Sequence, residues 1–464
     1  MAVCGCKKMI EVPTPATSLT GETVYKEDAT AIGVLTGIYA NMSSSELAVA
    51  GSIPSFSLFA GLSGDELTLM DGSYNLMAQA YYRNALSGSD GAYGSEYWSG
   101  LYPVIASCNA AIAGIRGSTG LTPAVRQQLL GEAYFLRAFH YFYLVNLFGD
   151  VAMPLSAAYP ANTSLSRSPA DTVYRQIVAD LRLAQGLLSA QWLDGTLLAP
   201  DVDRVRPTKW AAQALLARIY LYTGDWVDAI HEADSVIANT DLFALVSLDN
   251  VFLRSSLGNN EAIWQLQPVN EGWNTEDAKS FILSAAGPGA GIDAGTYLSN
   301  ELLSAFEPQD MRRSNWVDSV IVGGDTYFFP FKYKVNTYGQ PVTEYLTILR
   351  LAELYLIRAE AKARLGDLAG ADADLGLVRA RAGLGPVNAD SDLLSAIWHE
   401  RQVELFSELG QRWLDLKRVG GVDSVMRVVT PLKGGGAWQP YDKWYPLPVS
   451  DLQSDPNLVQ NQGY

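Results

Sequence analysis

RLAELYLIRAEAKARLGDLAGADADLGLVRA, residues 350–380, decides the fold. Tyr355, Ala359 and Ala363 recur at helical spacing up to Gly366-Asp367, and a second helical run led by Ala371 follows at once. Small residues let two helices approach closely, and the glycine supplies the turn between them. The same plan stands upstream at residues 207–237, PTKWAAQALLARIYLYTGDWVDAIHEADSVI. There Ala211, Leu215, Ala217 and Tyr220 lead one helix, Thr223-Gly224-Asp225 turns, and Trp226, Ala229, Ile230 and Ala233 lead the next. Two such hairpins predict a mainly α fold. Their wide separation excludes a clean tandem array and places a long insertion between them.

The hairpins follow tetratricopeptide logic, in which paired helices stack into a scaffold. Working outward, residues 131–150 read GEAYFLRAFHYFYLVNLFGD. Ala133, Leu136, Arg137, Phe139, His140, Tyr143, Leu144 and Leu147 fall on overlapping faces, so this helix is apolar nearly all round and central. Trp98, Leu101, Tyr102, Ile105, Cys108, Asn109 and Ile112 predict another helix before it. Residues 51–96 are rich in Gly, Ser and Asp, with turn signals at Asp71-Gly72-Ser73-Tyr74-Asn75 and Ser89-Asp90-Gly91 around a short helix near 76–86. A helix is expected to start near Asp28 as its N-cap, after a Pro/Thr-rich extended tether. The insertion holds Trp264, Trp273, Trp316, the glycine-rich run Ala286–Gly291 and the strand-like Thr326–Pro330. It predicts irregular loops with short strands, the kind of segment that carries function on a rigid frame. The expected division is therefore 1–27 tether, 28–240 helical region, 241–345 loop-rich ligand-binding insertion and 346–464 helical region with a terminal segment, intertwined as one globular unit.

The 464 residues carry 49 acidic against 33 basic side chains, a net charge of −16. No basic stripe is present, so nucleic acid is excluded as a partner class, and an acidic body suits neutral ligands. Hydrophobic residues make up 48%, which argues against disorder. No apolar run is long enough to span a bilayer. Three cysteines do not describe a disulfide framework. Cys108 sits in an apolar helical pattern and reads as a small core residue. Val3-Cys4-Gly5-Cys6-Lys7-Lys8 approximates a lipobox, with Cys6 as the acylated residue, although the hydrophobic segment expected before such a cysteine is missing. Either the true start lies upstream or the sequence is trimmed.

Glu400, Arg401, Glu404, Glu408, Arg412, Trp413 and Asp415 form the densest charged cluster. Same-helix carboxylates can reach the spacing a glycosidase needs, but Arg401 and Arg412 offer neutralising partners, so a structural ion network is expected rather than catalysis. His140, His231 and His399 have no zinc-site spacing, and there is no nucleophile elbow. Asn388–Asp392 opens like a calcium loop but lacks the glycine and the closing glutamate, so it reads as a turn with an N-cap at Ser391 or Asp392. The Gly287–Gly291 run lacks the lysine of a phosphate loop. No catalytic residue, metal or cofactor is assigned.

Carbohydrate recognition needs aromatic faces against C–H surfaces, with amides, carboxylates and arginines to orient hydroxyls. Two loop regions offer this mix. One holds Asp71, Tyr74, Asn75, Tyr81, Arg83 and Asn84, leading to Tyr97 and Trp98. The other holds Asn270, Glu271, Trp273 and Asn274, leading to Tyr297. The candidate ligand residues are Trp273, Tyr74, Asn75, Arg83, Trp98, Asn274 and Tyr297. Trp273 leads, because no apolar period buries it. Trp210, Trp226, Trp264, Trp398 and Trp413 sit in regular apolar patterns and are assigned to the core, and Trp316 is expected to be structural.

Taken together, several segments resemble the SusD/RagB family of Bacteroidetes outer-membrane lipoproteins. They are Cys6-Lys7-Lys8 with its tether, 131–155, 207–226, 349–367, IWHERQVELFSELGQRWLDLKR at 397–418, and WYPLPVSDLQSDPNLVQNQGY at 444–464. They occur in the family's order from end to end. The resemblance implies a helical fold of tetratricopeptide-like pairs with a loop-rich ligand face. It implies glycan capture at the cell surface, a lipid anchor and a SusC-like TonB-dependent transporter as partner. A tetratricopeptide-type peptide-binding module and a carbohydrate-active hydrolase are the alternatives. The first predicts ligand contacts in a helical groove, the second a pair of carboxylates in a cleft.

Overall fold

The computed structural model describes residues 24–157, 162, 164–289, 293–387 and 392–464. Cys4, Cys6, the tether to residue 23, and Ser391 lie outside the described residues. In chain order the elements are α1 (Asp28–Ser44), α2 (Phe56–Ser63), β1 (Leu67–Leu69), α3 (Leu76–Tyr82), α4 (Glu96–Gly117), α5 (Pro123–Phe148), β2 (Val151–Ala152), β3 (Arg167–Ser168), α6 (Ala170–Leu187), α7 (Lys209–Thr223) and α8 (Trp226–Ile237). The insertion then supplies β4 (Ala262–Leu266), α9 (Glu276–Phe281), β5 (Thr296–Leu298), α10 (Asn300–Ala305), α11 (Met311–Asn315), β6 (Val317–Val322) and β7 (Asp325–Pro330). The last part holds β8 (Leu346–Arg350), α12 (Leu351–Arg364), α13 (Leu368–Arg381), α14 (Leu393–Glu404), α15 (Gln411–Arg418), α16 (Val422–Leu432) and α17 (Val449–Ser454).

The scaffold is a row of helices in which α4 packs on α5, α5 on α6, α6 on α7, α7 on α8, α8 on α12, and α12 on α13, with α14 against both of the last pair. The two hairpins read from sequence are therefore neighbours in space, with α8 lying on α12. Gly224 closes α7 at φ 80°, where a side chain would be strained, and Gly366 turns between α12 and α13 at φ 87°. The all-round apolar pattern of α5 has its expected consequence, since every residue from Gly131 to Val145 is buried.

The insertion is rooted by β4 and β8, which pair antiparallel from Ala262↔Arg350 to Leu266↔Leu346 and are buried along their whole length. Trp264, Trp316 and Trp413 are fully buried, as is Cys108. Two expectations change. Trp226 and Trp398 are only half-buried, because they flank the Arg364 guanidinium at the hairpin ends, 5.6 and 5.5 Å from their rings. Asp28 begins α1 without capping it, because its carboxylate accepts from the Thr122 backbone N–H at 2.9 Å. Asp392 does cap α14, accepting from the N–H groups of Leu394 and Ser395. Among the described residues no helix is long and apolar enough to cross a membrane.

Candidate functional site

Two aromatic pairs reach the surface on the loops that join the insertion to the N-terminal region. The first is built on β1 and β5, which pair Leu67↔Leu298, Thr68↔Tyr297 and Leu69↔Thr296. Strand side chains alternate, so the leucines and Thr296 are buried while Thr68 and Tyr297 point outward. The hairpin β6–β7, turned by Gly323-Gly324 at φ 64° and 100°, brings Tyr327 against Tyr297 at 5.1 Å between ring centroids and 83° between planes. Tyr82, at the end of α3, joins them. Its ring has Lys433 5.0 Å below, and burial, then the neighbouring Tyr297, raises its phenol above the usual value. Burial and then Asp71 do the same to Tyr297, so both phenols are neutral donors. Tyr74, on the loop before α3, is 98% exposed.

The second pair is Trp273 and Tyr338, 5.7 Å apart at 66°. Trp273 is half-buried and Tyr338 is 64% exposed. Gly272 makes the pairing possible, because a Cβ there would meet the Tyr338 ring at 2.3 Å. Its carbonyl accepts from the Gly339 N–H at 2.8 Å, which fixes the two loops together. Lys279 of α9 stands 5.8 Å from the Trp273 ring and pairs with Glu276 at 3.2 Å.

The remaining expected residues divide. Arg83 is exposed and has no ion pair among the described residues. Asn75 uses its Oδ1 to cap α3, accepting from Ala78 N–H at 2.9 Å. Asn274 is buried, and its amide is spent on backbone: Oδ1 accepts from Thr343 and Glu344, and Nδ2 donates to Pro341. Trp98 is buried too, wedged between Tyr102 and Phe148, with its indole N–H on Asp451 at 2.9 Å. Trp98 and Asn274 therefore present no free ring face or amide, which corrects the sequence-based assignment. Tyr81, Asn84 and Tyr97 are buried for the same reason, as parts of the core under α3. Sequence reasoning missed Tyr82, Tyr327 and Tyr338. The alternation in Asp325–Pro330 after a Gly-Gly turn was the available signal for Tyr327. A groove of ≈ 840 Å³ beside Val49 and Leu101, and a cleft of ≈ 650 Å³ beside Trp98 and Asp455, both border α4 and include neither aromatic pair. The aromatic face is open surface.

The acidic cluster at 400–415 is an ion network, in which Arg401 neutralises Asp415 as the sequence suggested but the glutamates take their cations from outside the cluster. Glu400 pairs with Arg312 at 2.6 Å and Arg379 at 3.2 Å. Glu404 pairs with Arg312 at 2.8 Å, Arg350 at 2.6 Å and Arg381. Glu408 pairs with Lys332 and with Arg350 at 2.7 Å. Arg401 binds Asp415, and Arg412 binds Asp65. Burial would raise the Glu404 carboxyl, but Arg381, Arg350 and Arg312 outweigh it and hold it well below its ordinary value. Glu408 and Asp415 are lowered in the same way by their cations, whereas burial raises the Glu400 carboxyl despite Arg312 and Arg379. No group of acidic, histidine or cysteine side chains suited to a metal ion occurs among the described residues.

Residues 59–221 match a SusD-like family model described as starch-binding and associating with the outer membrane, and residues 323–464 match the SusD family model. SusD-like protein P2 of Formosa agariphila is 27% identical over all of this chain and 98% of its own length. SusD-like protein P25 of the same organism is 26% identical over 80% of each. Among solved structures, a laminarin-binding SusD-like protein superposes with a TM-score of 0.77 at 24% identity, over 95% of this chain and 100% of its own. A SusD superfamily protein from Bacteroides vulgatus gives 0.79 at 19%, with the same coverage. The helical row, the order of the matched segments and the end-to-end relatives agree, and the chain belongs to the SusD/RagB family.

Proposed function

We propose that the protein captures a neutral glycan at the outer-membrane surface and passes it uncleaved to a SusC-like TonB-dependent transporter, held to the membrane by acyl chains on Cys6. The observation that carries the reading is the surface pair of half-buried Trp273 and exposed Tyr338, with a second pair, Tyr297–Tyr327, on short strands of the same insertion. Open ring faces suit the apolar C–H faces of sugar rings, and the neutral phenols and Arg83 suit their hydroxyls. Asp71 and Glu301 stand near Tyr82, so uronate or sulfate groups would meet repulsion there. The family description and the laminarin-binding neighbour support the ligand class. Every carboxylate of the 400–415 cluster is committed to a cation, which supports binding without cleavage.

Calorimetry with laminarin and soluble starch tests the site. Trp273→Ala is expected to raise Kd about tenfold or more, equivalent to ~1.4 kcal/mol, while the melting temperature holds. Unchanged affinity would remove this face from consideration, and contacts mapping to the α7–α8 or α12–α13 hairpins would favour the peptide-binding alternative. Release of reducing ends would refute the non-catalytic role. Delivery and anchoring are checked by co-purification of a TonB-dependent transporter from native membranes and by loss of acyl labelling in Cys6→Ser.

A further inference from the structure

Among the buried polar atoms left without a partner, one carboxylate oxygen lies beside the ion network. Asp277 of α9 is 3% exposed, and its Oδ2 has no hydrogen-bond partner. It borders a cavity of ≈ 10 Å³ lined also by Phe281, Pro330, Lys332, Tyr333 and Ser407, about the room one water occupies. Lys332 Nζ donates to the Glu404 carbonyl at 2.8 Å and to Glu408 at 2.5 Å, so one of its three N–H groups is uncommitted. Tyr333 accepts from the Thr347 N–H, which leaves its hydroxyl proton to give. On its other side the same six-residue helix holds the aromatic face. Lys279 stands by the Trp273 ring, and Glu276 accepts from Asn270 Nδ2 at 2.7 Å. Glu276 and Lys279 thus tie the helix that bears Asp277 to the loop that carries Asn270 and Trp273.

We propose that Asp277 is a positioning residue of the aromatic face: as a neutral acid it seats α9 over the cavity and thereby fixes Trp273, and its ionisation unseats both. The charged and titratable groups facing it are Glu276 from its own helix, Lys332 and Tyr333 from the segment after β7, and Glu408 from the turn before α15. Lys332 in turn faces Glu66, Glu404 and Arg350. Burial first, then Glu276 and Glu408, raises the Asp277 carboxyl well above its ordinary value. Burial lowers Lys332 to about 8, so the nearest cation fades as pH rises through that value. A carboxyl raised in the seated state holds a proton there that the unseated state releases. Rising pH therefore favours unseating, and falling pH favours seating. The consequence for ligand rests on the glycan-binding reading, whereas the proton coupling does not.

Fluorine NMR of protein labelled with 5-fluorotryptophan tests both, with the Trp273 resonance assigned by Trp273→Phe. As pH rises through the Lys332 value of about 8, the wild-type resonance is expected to shift, and in Asp277→Asn it is expected to stay fixed. If that variant does not fold, Asp277→Ser is read in the same way. Laminarin Kd is expected to rise at least about threefold over the same pH change in wild type and to stay flat in the variant. A wild-type resonance that does not move, or that moves equally in the variant, overturns the proposal. A titrating resonance with flat affinity overturns the positioning role. Absence of saccharide binding at every pH counts against the proposed function, and the resonance alone then decides the role of Asp277.

Discussion

Gly272 decides where Tyr338 can lie. At φ 79° it occupies a region that side chains enter at a cost, and a methyl group there would overlap the tyrosine ring. Gly272→Ala is expected to lose about 1–2 kcal/mol in urea melts and to weaken laminarin binding, because the ring must move off Trp273. Wild-type affinity in this variant would mean that the pair does not touch the sugar. Individual residues differed in how far the sequence exposed them. Trp273 was legible as a surface ring because Gly and Asn surround it and no apolar period buries it. Trp98 was not legible as a core residue, since Asp451, the acceptor of its indole N–H, lies near the far end of the chain. Asn274 misled for a related reason. A loop amide looks free until the backbone it braces, at Pro341–Glu344, is known.

Elements built from local pattern were legible, and elements built from distant pairing were not. The α7–α8 and α12–α13 hairpins announced themselves through small residues at helical spacing around a Gly-Asp turn. The β1–β5 pair could not be foreseen, because its three-residue strands lie in separate regions and neither is long enough to show a period. It is this pair that turns Tyr297 outward and joins the insertion to the N-terminal loops. The hairpin turn gives a matched test of backbone physics. Gly366 has open space around its Cβ direction but sits at φ 87°, so Gly366→Ala is expected to cost about 1 kcal/mol through conformation alone. Gly376, inside α13 with equally open space, is expected to gain up to about 1 kcal/mol on the same change. Urea midpoints that shift in the same direction for both would contradict this account.

At the scale of the whole molecule, buried charge rather than apolar area alone ties the halves together. Arg350 reaches Glu261, Glu404 and Glu408 from the end of β8, and is itself buried. Arg350→Met leaves those carboxylates short of a partner and is expected to cost about 3–5 kcal/mol. The deficit should be larger near pH 8 than near pH 5. Carboxylates that lose their cation have raised folded-state values, so the variant takes up protons as pH falls and recovers part of the loss. Thermal melts at the two pH values check both statements. The same arrangement constrains how the centre closes. Asp65, Glu66 and Glu261 enter early, but the cations that answer them, Arg412, Lys332, Arg350 and Arg381, are all encoded in the later part. The anions precede their counterparts in the chain, so closing the centre around them without those cations would bury unpaired charge. The charge balance of this centre is therefore complete only once the segment carrying Arg412 has joined it.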